Sequence, residues 1–149
     1  MTREKRIITR VRKGFTMVEL MAMLIIIGLL ATLVVTKVAT QIDRARVTTT
    51  KANLKLLHAA VNQFKMDTSR YPSEEAGLKE LLEKPGDVTN YQESGYLEST
   101  GIPKDAWGNE FVYMLNPESG KPFVIISYGA DGKEGGEGYD ADLYSTDAE

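Results

Sequence analysis

From Phe15 to Val38 the chain is almost continuously apolar, reading FTMVELMAMLIIIGLLATLVVTKV. A run of that length meets the roughly 20 residues that a membrane-spanning helix needs. Polar residues return after Val38, yet no proline interrupts the chain before Pro72. Leu54, Leu57, Val61 and Phe64 follow a 3-4 spacing with Ala60 beside them. Charged and amide residues such as Asp43, Arg44, Arg46, Lys51 and Lys55 occupy mostly other faces. The pattern predicts one helix from about Phe15 to about Asp67, apolar all round in its first half and striped in its second. At ~1.5 Å per residue it would be roughly 80 Å long.

The rest of the chain predicts a small mixed domain. Arg70-Tyr71-Pro72-Ser73 ends the long helix, because proline disfavours helical backbone in the residue before it. Ser73 suits the start of a second helix, Glu74 to about Glu83, with acids in its first turn. Leu78, Leu81 and Leu82 would face the long helix, and Pro85-Gly86 would stop the second one. Residues 86–103 read as loop. Asp105-Ala106-Trp107-Gly108-Asn109 predicts a turn before a strand from Glu110 to about Leu115. A second turn at 116–120 leads to a strand from Pro122 to Tyr128, and a short third strand follows. The expected fold class is α+β: a long N-terminal helix packed on a small antiparallel β-sheet.

Charge adds direction. The net charge is -3, but residues 1–14 carry +5 on their own, leaving -8 for the remainder. From Asp131 to Glu149 there are seven acids and one lysine. A basic head before the apolar run places residues 1–14 in the cytoplasm and the polar part across the membrane. No cysteine is present, which excludes disulfide frameworks and thiolate chemistry. His58, the one histidine, reads as a surface or packing residue.

Two residues stand out, one just before the apolar run and one inside it. No clean small-residue cleavage site follows it near residue 38, whereas Gly14 sits at the junction with the basic head. Cleavage after Gly14 would leave the helix on the mature protein, beginning at Phe15. Glu19 is a carboxylate inside the run, and such a group costs perhaps ~3 kcal/mol on insertion scales and usually has a partner. The free amine of Phe15, on the same or a neighbouring subunit, would be one; hydration near the interface is the plainer alternative.

Lys13-Gly14-Phe15-Thr16-Met17-Val18-Glu19-Leu20 resembles the prepilin peptidase motif of the type IV pilin superfamily. Arg70-Tyr71-Pro72, Pro103-Lys104-Asp105-Ala106-Trp107-Gly108-Asn109 and Ser127-Tyr128-Gly129-Ala130-Asp131-Gly132 are similar, in the same order, to stretches of the major pseudopilins of type II secretion systems. The chain departs from the family at Thr36 and Ala106, where prolines are usual. The resemblance implies cleavage after Gly14, N-methylation of Phe15 and a role for Glu19 in assembly. It implies three segments: a cleaved leader at 1–14, a transmembrane and filament-core helix at 15–38, and a periplasmic pilin-like domain at 39–149. The expected protein is a single-pass inner-membrane subunit that polymerises into a periplasmic pseudopilus supporting export across the outer membrane. Its partners would be further copies of itself, minor pseudopilins, the inner-membrane assembly platform and the prepilin peptidase, with no nucleic acid. A type IV pilin of a surface fibre is the alternative.

The stretch 129–142 holds five glycines and five acids. By composition alone it suits a solvated tail, and any metal there would be one that favours oxygen ligands. Major pseudopilins carry a structural calcium in this loop, so the resemblance implies calcium here, with Asp131 and Asp142 as leading ligands and Asp140 third. Carbonyls near Ile126, Tyr128 or Leu143 would complete the shell, and Glu134 and Glu137 would face solvent. A hydrolytic metal site at the same aspartates is the enzymatic alternative. No nucleophile–base pair and no phosphate-binding glycine loop supports it, and no enzyme is expected.

Overall fold

The computed structural model describes residues 14–147, without the side chains of 33–39. The rest of the predicted leader, 1–13, lies outside the described residues. The chain divides into two compact units at Thr40 and Gln41.

Helix α1 runs from Met17 to Thr68. In the first unit every described side chain from Gly14 to Thr32 is exposed, and Phe15 retains 73% of its surface. Thr32 donates its hydroxyl to the Leu29 carbonyl at 2.7 Å, so this polar side chain is satisfied by its own helix. Among the described residues no helix is long and apolar enough to cross a membrane. The predicted span continues to Val38, through positions whose side chains are not described.

The second unit holds the core. Leu54, Leu57, Val61 and Phe64 of α1 are all fully buried, as the 3-4 spacing requires. Ala60, Leu78, Leu81, Leu97, Phe111, Phe123 and Ile125 complete the cluster, with Leu82 partly buried beside it. Phe64 meets Tyr96 edge-on at a centroid distance of 5.4 Å, a favoured aromatic geometry. His58 packs against Phe123 at 4.7 Å.

Three strands form an antiparallel sheet in the order β1 (Val112–Leu115), β2 (Phe123–Ser127), β3 (Leu143–Tyr144). Val112 pairs with Ile126 and Leu115 with Phe123, and Ser127 pairs with Leu143. The β1–β2 turn closes where the Asn116 N–H donates to the Pro122 carbonyl at 2.9 Å. All five residues of the central strand are buried.

The predicted second helix is shorter and tighter than the sequence suggests. It is a 3₁₀ helix at Gly77–Leu81, preceded by a turn. Ser73 does accept the Ala76 N–H at 3.3 Å, as a cap would. Gly77 then adopts a left-handed φ of 57°, which a right-handed α-helix cannot continue through. Glu80 turns inward instead of to solvent. Its carboxylate takes Arg70 Nη1 at 2.7 Å and the Ser73 hydroxyl at 2.6 Å.

Candidate functional site

Gly14, Phe15 and Thr16 precede the first helical turn. The Thr16 N–H and hydroxyl both donate to Glu19 Oε2, at 2.9 and 3.0 Å. In return the Glu19 N–H donates to Thr16 Oγ1 at 3.2 Å. This is a reciprocal capping box, with Thr16 as N-cap and Glu19 at the third helical position. The T-x-x-E spacing of Thr16 and Glu19 was its signal in the sequence. Glu19 thus has a local partner at the very end of the helix, where the macrodipole favours a negative charge. The Phe15 ring and Glu19 remain exposed.

The second candidate region is the loop after β2. Gly129 and Gly136 both close on the backbone of Asp140: a Cβ at either position would lie 2.6 or 2.5 Å from the Asp140 carbonyl oxygen. Both have left-handed φ, 61° and 80°, so glycine is required on two counts. The Ala130 N–H donates to the Tyr139 carbonyl at 2.9 Å and pins the loop's two ends together.

The three predicted ligands have separate surroundings. Asp131 Oδ1 accepts the Lys133 N–H at 3.0 Å. Asp142 accepts the Gly135 N–H on both oxygens, at 3.1 and 3.0 Å, and the Tyr144 hydroxyl at 3.2 Å. Burial, then the bond to Asp142 and that carboxylate's charge, push the Tyr144 phenol up, which keeps it a donor. Asp140 is exposed, and so are Glu134 and Glu137. Among the described residues, no three acidic or imidazole side chains gather closely enough to hold a metal, so Asp131, Asp140 and Asp142 are not brought together as a carboxylate cluster. Oxygen is nonetheless the only donor on offer, and carbonyls outnumber carboxylates in the loop.

A third arrangement was not legible beforehand. Asp105 is only 5% exposed. Its Oδ1 accepts the N–H groups of Trp107 and Asn109 at 3.0 and 2.8 Å, and its Oδ2 accepts the Ser127 hydroxyl at 2.8 Å. Asn109 Nδ2 donates to the Gly129 carbonyl at 3.0 Å, and the Ala106 N–H donates to Thr50 Oγ1 of α1 at 3.1 Å. One turn therefore joins the helix, the central strand and the acidic loop. Asp105-x-x-x-Asn109 reads as an ordinary turn, and only the fold shows its carboxylate buried. A similar clasp joins Arg70 to Glu80 and, through two bonds of 2.8 and 3.0 Å, to Asp87. The hydrogen bond from Arg70 holds the Asp87 carboxyl below the usual range.

Residues 37–146 match the family model of the type II secretion system protein G. The chain belongs to this family. A type II secretion system core protein G of Pseudomonas aeruginosa is 42% identical over 141 residues, covering 93% of this chain and 97% of that protein. That of Vibrio cholerae is 37% identical over 136 residues, covering 90% and 91%. Among solved structures, the major pseudopilin from the type 2 secretion system of enterohaemorrhagic Escherichia coli matches with a TM-score of 0.58 at 28% identity, covering 68% of this chain and 87% of that one. As a major pseudopilin the chain is a structural subunit of the pseudopilus and not an enzyme. The α+β pilin-like fold expected from the sequence is the one observed.

Proposed function

We propose that this pseudopilin begins as a single-pass protein of the bacterial inner membrane and polymerises through its N-terminal helix into a periplasmic filament. The observation that carries this reading is the first unit, where every described side chain from Gly14 to Thr32 is exposed and almost all are apolar. A surface of that kind on a water-soluble monomer would be a liability; it suits lipid first and neighbouring subunits afterwards. Prepilin peptidase would cut after Gly14, and the new terminal amine of Phe15 would be methylated. Glu19 would then face an amine from its own or a neighbouring subunit, and an acid in apolar surroundings gains most from such a partner. Minor pseudopilins and the inner-membrane assembly platform complete the proposed partners.

The loop 129–143 is proposed to hold a structural calcium ion. Asp131, Asp140 and Asp142 would supply carboxylates, with backbone carbonyls and water filling the rest of a shell that tolerates mixed oxygen donors. The loop's left-handed glycines and oxygen-only chemistry support this assignment. Calcium would supply charge neutralisation and cross-linking of the loop, so its binding energy would count as folding energy.

Intact mass of the membrane-extracted protein tests the processing step. The expected species begins at Phe15 and carries one added methyl group. A chain that begins beyond residue 38 would remove the polymerising segment and defeat the reading.

A further inference from the structure

Asp131 is the only aspartate in the chain that is followed by glycine, and no asparagine is. Both Asp131 and Gly132 are exposed. In such a pair the backbone nitrogen of the second residue can attack the side-chain carboxyl of the first. Glycine sets no Cβ in the way and tolerates the backbone rotation that the attack needs. Asp140 and Asp142, in the same loop, precede Ala141 and Leu143, whose side chains hinder it.

The fold holds the two reacting groups apart by bonds to each. The Gly132 N–H donates to the Tyr128 carbonyl at 3.1 Å. A donated hydrogen bond favours the neutral amide and opposes the proton loss that would make its nitrogen a nucleophile. Asp131 Oδ1 accepts the Lys133 N–H at 3.0 Å, which ties the carboxylate to backbone beyond the glycine. Gly132 itself is seated at a left-handed φ of 67°, where a Cβ would lie 3.3 Å from Asn109 Oδ1. Asn109 then fixes the preceding stretch, because its Nδ2 donates to the Gly129 carbonyl at 3.0 Å.

We propose that Asp131–Gly132 is a site of spontaneous covalent change, from aspartate to isoaspartate through a succinimide, and that the closed loop holds it in check. In the first step the Gly132 nitrogen bonds to Asp131 Cγ. One carboxyl oxygen leaves as water, taking the amide proton and one from solvent. In the second step water adds to the Asp131 backbone carbonyl carbon. The bond from that carbon to the Gly132 nitrogen breaks, and the former backbone carbonyl becomes a free carboxylate. Water lost is water regained, so mass is unchanged and no oxidant or reductant is needed. The backbone now runs through Cβ and Cγ of Asp131. The added methylene would push Gly132 off its seat against Asn109, so the loop could not close again in the same register.

The test compares full-length protein folded in detergent with the same chain in urea, at one fixed calcium concentration. Isoaspartate would be located by fragmentation of peptides across the Cα–Cβ bond. In urea it is expected at Asp131 well ahead of every other aspartate. In the folded protein it should form at Asp131 about tenfold more slowly or less, because reaction then waits on local opening. Asn109→Ala should raise the folded-state rate severalfold at a temperature where the variant is still folded, and Asp131→Glu should abolish the signal at that position. Equal rates in the folded and unfolded parent would overturn the protection, a comparison that needs no variant to fold. A folded Asn109→Ala that reacts at the parent's rate would overturn the part given to Asn109. Isoaspartate spread evenly among the aspartates in urea would overturn the site itself.

Discussion

At the start of α1 one carboxylate has a duty within the chain and a second proposed for assembly, and substitution can separate them. Glu19 closes the capping box with Thr16 inside the chain, and it is also the acid proposed to meet the Phe15 amine during assembly. Glutamine fills the third position of a capping box as glutamate does but carries no charge. Alanine loses both functions, and loss of a cap costs about 0.5–2 kcal/mol of helix stability. Glu19→Ala should therefore impair filament yield and fray the first turn, while Glu19→Gln should keep the turn yet impair yield to a similar degree. Filament yield by sedimentation, read alongside helix content, decides between them. Normal yield from Glu19→Gln would assign the residue to capping alone.

Periodicity made the long helix and its core stripe legible, because 3-4 spacing over that many residues has few alternative readings. The predicted hairpin matches β1 and β2, where turn residues bracket short runs rich in β-branched, aromatic and other apolar residues. The 3₁₀ helix was not legible. Its shortening follows from the left-handed Gly77 and from Glu80 turning toward Arg70, a residue ten positions away that local propensity cannot see. The Asp105–Asn109 turn was legible as a turn but not as a junction, since its role depends on contacts to Thr50, Ser127 and Gly129. Asp105→Ala would strand two N–H groups and the Ser127 hydroxyl. Hydrogen bonds to a charged group are worth more than neutral ones, and the expected cost is about 3 kcal/mol or more. A denaturant melt of the full chain in detergent should show it as a lower midpoint with the slope unchanged.

For the molecule as a whole, the calcium proposed for the acidic loop makes stability depend on a ligand. A ligand bound only by the folded state stabilises it in proportion to the logarithm of its concentration over Kd. Chelation of calcium from the full-length protein should lower its melting temperature by several degrees, and added calcium should restore it. An unchanged melting temperature would defeat the calcium assignment without touching the filament reading. Spacing alone could not decide this point, because each predicted carboxylate is taken up by a neighbouring N–H or stays in solvent. The sheet, meanwhile, stops at a four-residue strand on one border and a two-residue strand on the other. Such brief borders offer few unpaired backbone groups for strand addition. Assembly into a pseudopilus brings many copies together, and these short borders give them little to pair edge to edge.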